Sequence, residues 1–103
     1  MAEFTHPRLD DISLETVLHA LGDPARLQIV RTLAGGGEMC CEGTLCSTHI
    51  PKSTRSNHLR ILRNSGLIHT RRRGRELMNA LRRGELDKRF PGLLDAVLPL
   101  VNG

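Results

Sequence analysis

Aromatic side chains are almost absent from this 103-residue chain: Phe4 and Phe90 stand alone, with no Trp or Tyr. Single-strand binding surfaces stack bases on aromatic faces, so that mode of recognition is not expected. Long apolar runs are missing too, and none approaches the roughly 18 residues of a membrane span. The opening MAEFTHPRLDD carries no charged-then-apolar leader pattern. These absences predict a cytoplasmic protein with no membrane contact, whose cysteines are reduced at rest. No nucleophile–base–acid set is visible, and His6, His19, His49, His58 and His69 are scattered. An enzyme is not expected.

Acidic residues are scarce in one window, and there the positive content begins. Ten of the fifteen Lys and Arg lie between Lys52 and Arg83, with Glu76 the single acid among them. The whole-chain charge is only +4, so the bias is local. A merely solvated face mixes both signs; this one favours a polyanion. The length suits one domain with a lean core, for which pairing with a second copy would supply extra burial.

Leu14, Val17, Leu18 and Leu21 lie on one face of a first helix, with a cap signal at Asp11 or Ser13. Asp23 and Pro24 open a second helix whose buried face is Leu27, Val30 and Leu33, joined by Ile29 and Ala34; Gly35, Gly36 and Gly37 end it. A short helix is expected at about Thr44–His49, then a break at HIPKST. The next helix, KSTRSNHLRILRNSG, turns Leu59 and Leu62 inward, keeps Ile61 at its edge and stops at Gly66. Alternation over Leu67–Arg72 and the dipeptide Arg73-Gly74 predict a hairpin. A terminal helix then carries Leu93, Leu94, Val97 and Leu98 on one stripe, interrupted at Pro99. A short helix, a tight turn and a basic polar-faced helix make a helix-turn-helix, and a hairpin with arginines at its tip makes a wing.

Three segments, ALGDPARLQIVRTLAGG, KSTRSNHLRILRNSGLI and RRRGRE, resemble the arsenic-repressor (ArsR/SmtB) family of bacterial winged-helix repressors. The resemblance runs from about Leu14 to Leu98. It implies a mostly α fold with a small β-hairpin, a winged helix-turn-helix that is homodimeric through its first and last helices. It also implies binding to palindromic double-stranded operator DNA and release when an inducer binds. The expected layout is a single domain over 1–103, with a recognition helix at about 52–65, a wing at about 67–81 and a terminal dimerisation helix at about 86–98.

Within the recognition helix, Ser53, Thr54, Ser56, Asn57 and His58 are expected to face the groove, where hydroxyls and amides read base edges. Lys52, Arg60 and Arg63 are placed to hold phosphates, and Arg71, Arg72, Arg73 and Arg75 to reach phosphates or a narrow minor groove. Three alternatives stand beside these readings. Ser53 or Thr54 can cap the helix, and His58 can be a partly buried histidine satisfied by a backbone group. Arg55, counted with the DNA-binding set, shares the face of Leu59 and Leu62, so its stem can cover apolar surface instead. Polar groove-facing residues favour a sequence-specific regulator over an architectural DNA protein, and the RRRGR run opposes a pure protein-interaction module.

All three cysteines lie in EMCCEGTLC, residues 38–46. The terminal helix holds no histidine, which the zinc-sensing branch of the family would need there. The stretch is similar to the ELCVCDLC-like text of the arsenite-sensing branch, which implies Cys40, Cys41 and Cys46 as thiolate ligands for arsenite, antimonite or another soft thiophilic ion acting as inducer. On one regular helix, at ~100° per residue, these thiolates diverge, so convergence needs an irregular backbone or a ligand from the other chain. A disulfide or persulfide switch at Cys41 and Cys46, and simple packing of small apolar thiols, remain the other readings.

Overall fold

The computed structural model describes residues 4–40 and 50–101. Among these the order is α1 (Leu14–Leu21), α2 (Pro24–Ala34), β1 (Met39–Cys40), α3 (Lys52–Ser65), β2 (Ile68–Arg73), β3 (Glu76–Leu81), α4 (Arg83–Arg89) and α5 (Leu93–Val97). Short 3-10 turns lie at Leu9–Asp11 and Leu98–Leu100. The short helix expected at about Thr44–His49 falls outside the described residues.

Capping chemistry sets the helix starts. Ser13, not Asp11, caps α1, its Oγ accepting from the Thr16 N–H at 3.3 Å. Asp23 caps α2 by accepting from the Ala25 and Arg26 N–H groups at 2.9 and 3.1 Å, with Pro24 at the first helical position. α1, α2 and β2 pack around α3. The core is aliphatic: Val17, Ile29, Val30, Leu33, Leu59, Leu62, Leu67 and Ile68 are buried together with Ile12, Leu86 and Leu94 from the flanking segments.

α1 departs from the expected face. Val17 and Leu21 are buried as anticipated, but Leu14 and Leu18 are 44% and 48% exposed, and Ala20 takes the inward place. The apolar residues of α1 thus divide between the core and an open stripe. The expected single terminal helix is two helices, broken at Phe90–Gly92, and the second gives way at the expected interruption to the 3-10 turn Leu98–Leu100, which holds Pro99. Pro91 pushes Phe90 out of the helical region, to φ −131° and ψ 75°, and Gly92 turns at φ +83°.

The sheet is antiparallel in the order β1-β3-β2. β2 and β3 form the anticipated hairpin, its turn one residue later than expected: Arg73 pairs with Glu76 around Gly74-Arg75, with Gly74 at φ +61°. Two-residue strand β1, which has too few residues to show alternation, pairs Met39 with Asn79 and Cys40 with Met78.

α3 ends at Gly66, whose φ of +92° lets its N–H and that of Leu67 reach back to carbonyls of the last turn. A Cβ on Gly66 would lie 2.6 Å from two carbons of buried Ile12. Gly66→Ala therefore combines left-handed strain with overpacking and should cost ~2 kcal/mol or more in urea denaturation. Gly84→Ala, in α4 with open space around it, should be neutral or stabilising by up to ~1 kcal/mol. Equal effects of the two substitutions would contradict this account of the corner.

Candidate nucleic-acid interface

Leu59 and Leu62 anchor α3 from behind, which leaves a continuous polar face outward. Lys52, Ser53, Thr54, Ser56, Asn57 and Arg60 are all exposed on it. The residue before the helix is Pro51, and no side chain caps the first turn. Neither Ser53 nor Thr54 is a cap, because the helix starts before them. Their hydroxyls project from the first turn beside backbone N–H groups without intrahelical partners, an arrangement that favours anions. One helical turn on, the Arg60 guanidinium donates to Asn57 Oδ1.

His58 turns away from this face. Its side chain is 13% exposed, its Nδ1 lies 3.2 Å from Arg26 Nη1 and its Nε2 lies 3.9 Å from Asp23 Oδ2. A guanidinium can only donate, so Nδ1 accepts and carries no proton. Arg26 also donates through Nε to the Ala20 carbonyl at 2.6 Å. The Asp23 carboxylate that caps α2 thus sits beside a side chain of α3, and His58 joins the two helices rather than facing a groove. Its partners are side chains of α2, not the backbone group considered from sequence. Arg55 is half-buried, and its Nε is buried without a hydrogen-bond partner among the described residues, as its position on the Leu59–Leu62 face implies. Arg63 likewise turns inward: its guanidinium carbon lies 4.5 Å from the Phe4 ring centroid, and Nη1 is 3.4 Å from Thr70 Oγ1.

On the wing the arginines divide. Arg71 is held by Glu38 in a two-point ion pair, Nε and Nη2 each donating at 2.6 Å. The hydrogen bond from Arg71 is the main reason the Glu38 carboxyl sits below the usual carboxylate range. Arg72, Arg73 and Arg75 are exposed at the tip with no carboxylate partner among the described residues. Glu38 gives no periodic signal in the sequence, and its pairing with Arg71 depends on how the sheet assembles.

Cys40 is half-buried in β1, and the register sets Cys40, Met78 and Arg71 in one row across the three strands. Cys41 and Cys46 lie outside the described residues. Among the described residues no group of three His, Cys, Asp or Glu side chains could hold a metal ion, and no helix is long and apolar enough to cross a membrane.

The N-terminal segment closes the outer edge of β2. His6 Nε2 accepts from the Thr70 N–H at 2.9 Å, and its ring stacks on His69 at 4.2 Å. Arg82, itself buried, donates to the Pro7 carbonyl at 2.9 Å and to both oxygens of Glu85. A side chain thus occupies an edge N–H that would otherwise be open to a foreign strand. The segment also places Phe4 against α3.

Residues 23–70 match the family model described as bacterial regulatory protein, arsR family. An HTH-type transcriptional regulator of Bacillus subtilis (strain 168), YceK, is 34% identical over 94 residues, covering 90% of this chain and 94% of that protein. The arsenical resistance operon repressor of Staphylococcus xylosus is 35% identical over 74 residues, covering 72% of this chain and 70% of its own length. In structure, the homodimeric winged helix-turn-helix DNA-binding domain of Mb0332 from Mycobacterium bovis superposes with a TM-score of 0.68 at 29% identity, covering 84% of this chain and 78% of that one.

The His6 contact makes a pH dependence with a definite sign. Burial first, then the charges of His69, Arg82 and Arg63, lower the His6 pKa below the ordinary histidine value, while a hydrogen bond with the Phe4 backbone opposes them. The neutral ring is the acceptor for Thr70, so its contribution is fully present above the unfolded-state value of about 6.5 and is lost as pH falls through the lower folded value. Between pH ~7.5 and ~5, urea denaturation should show a larger loss of stability for the parent than for His6→Ala. Identical losses in the two proteins would mean that His6 does not hold the strand edge as a neutral acceptor.

Proposed function

The chain belongs to the arsR family of bacterial regulatory proteins, a family of transcriptional regulators rather than enzymes, and on that premise we propose that it is a homodimeric repressor of sequence-specific operator DNA. The observation that carries this reading is the division of its basic residues. The outward face of α3 and the wing tip hold Lys52, Arg60, Arg72, Arg73 and Arg75 without carboxylate partners among the described residues. Exposed cations of one sign on two adjacent elements attract a phosphate backbone, and Ser53, Thr54, Ser56 and Asn57 lie between them to read base edges. Exposed Leu14, Leu18 and Leu100 supply apolar surface for a second copy. The protein acts in the cytoplasm, where its DNA is double-stranded.

The inducer is a thiophilic metalloid of the arsenite or antimonite type, taken by Cys40, Cys41 and Cys46. Two observations support it: three thiols in nine residues, and the likeness to a repressor of an arsenical resistance operon. Cys40 is a residue of the wing sheet, and in sequence the three cysteines precede α3. A ligand that bends the cysteine stretch acts on wing and helix together. It shifts the protein off DNA only to the extent that it binds the released conformation better.

Two measurements check the reading. Replacing Arg72 and Arg73 together by Ala removes two cations from each protomer; it should weaken binding to every duplex and reduce the salt slope of log K for the dimer by up to about 4, as read by fluorescence anisotropy at several salt concentrations. An unchanged slope would remove the wing from the interface. The Cys40→Ser, Cys41→Ser double variant should bind DNA as tightly as the parent yet stay bound when arsenite releases the parent. Release of both proteins by arsenite would place the sensor elsewhere, and release of the parent by peroxide but not arsenite would favour a redox switch.

A further inference from the structure

Between α3 and the wing sheet lies a cleft of about 420 Å³, within the size range of small-molecule sites. Phe4, Leu59 and Leu77 form its apolar walls, and Asn57, Arg60 and Arg63 supply its polar rim. Ser53, Ser56, Thr70 and Asn79 complete the lining, so among the described residues no acidic side chain faces it. Among the described residues neither Arg60 nor Arg63 has a carboxylate partner. Two guanidiniums one helical turn apart therefore share a partly apolar recess without a counterion. Burial first, and the charge of Arg60 second, disfavour the charged form of Arg63, and the negative charge of an anion in the recess would compensate for both.

The back wall is already satisfied. Thr70 Oγ donates to Asn79 Oδ1 at 2.9 Å, and Asn79 Nδ2 turns to the carbonyls of Met39 and Leu77 at 3.4 and 3.5 Å. Few unpaired polar groups remain there for a strongly hydrophilic guest. The unmet demand is one negative charge at the rim and apolar contact below it.

We infer that this cleft is a binding site for a small monocarboxylate with an aromatic or branched apolar body. The carboxylate lies between the guanidiniums of Arg60 and Arg63, and the body rests on Phe4, Leu59 and Leu77. Arginine presents a planar fork that matches a carboxylate with paired hydrogen bonds, and the Phe4 ring under Arg63 extends the flat surface on which an aromatic guest can lie. Because Ser53, Ser56, Asn57 and Arg60 also belong to the outward face of α3, a filled cleft and bound DNA exclude one another. That competition rests on the proposed DNA-contacting role of α3; the carboxylate site itself does not.

The test is a titration of the DNA-free protein, full chain, with naphthoate, followed by calorimetry and by amide shifts in a nitrogen-edited NMR spectrum. Its neutral counterpart naphthalenemethanol and inorganic phosphate form the two control arms. Naphthoate should bind about 10- to 100-fold more tightly than the alcohol, the increment of a charge-assisted contact, and should shift the amides of Phe4, Leu77 and Asn79. Arg60→Gln, at an exposed position, and Arg63→Met, which keeps the buried stem, should each lose about tenfold in naphthoate affinity, and Arg63→Lys should recover part of it. Equal binding of acid and alcohol, or full affinity in both charge-removing variants, would overturn the inference. So would displacement of naphthoate by phosphate at lower concentration, which would identify the recess as a seat for a DNA phosphate. If the site is present, saturating naphthoate should also weaken duplex binding at least tenfold in the parent; binding of naphthoate without that loss would keep the carboxylate site and reject α3 as the DNA-contacting helix.

Discussion

One constraint organises the molecule: α3 must be held firmly while one of its faces stays empty. Leu59 and Leu62 do most of the holding, being 6% and 0% exposed, and each buried leucine contributes roughly 1.5–3 kcal/mol. Ile12 fills the space against Gly66 at the end of the helix. On the flank, His58 lies against the carboxylate that caps α2 and the Arg26 side chain of the same helix. The polar face contributes little to this anchoring, which separates the residues that make the fold from those available to a partner.

The arginines obey the same separation. Arg71 and Arg83 spend their charge on nearby carboxylates, and Arg82 joins a carboxylate to the N-terminal segment. Arg89 donates to the Ile12 carbonyl at 3.0 Å, tying α4 to the start of the core, and Arg31 donates to the Val101 carbonyl. Charge counted along the chain therefore overstates the surface offered to DNA. The remainder is concentrated on the exposed turns of α3 and at the tip of the hairpin. Glu38 matters for another reason: it joins the start of the cysteine stretch to β2 through Arg71, so the wing and residues 38–40 share a sheet and an ion pair.

Local chemistry made much of this legible in advance. The cap at Asp23, the choice of Asp11 or Ser13 for the first helix, the stop at Gly66, the inward leucines of α3 and the presence of the hairpin all follow from short-range rules of spacing and turn geometry. The misses share a different origin. Leu14 and Leu18 match an inward stripe, yet only the packed helices decide which half of a broad apolar face is covered. Pro91 and Gly92 were visible in the sequence, but the leucine stripe that continues past them hid the break. His58, Arg63 and Arg71 look alike in sequence, as polar residues of a basic region; what turns the first two inward and holds the third at the surface is a partner 32 to 59 positions away in the chain, namely Arg26, Phe4 and Glu38. Strand β1 escaped notice because two residues cannot display a period.

The central claim is that the outward face of α3 and the wing tip form the surface that meets DNA, while residues of the same region that turn inward do not. Amide hydrogen exchange, with and without a duplex selected from a random pool, tests it most directly. Protection should be gained over 53–60 and over 72–75, with Arg71 and the α2 residues around Asp23 unchanged. Protection confined to the exposed stripe of α1, or spread evenly over all basic segments, would contradict the account.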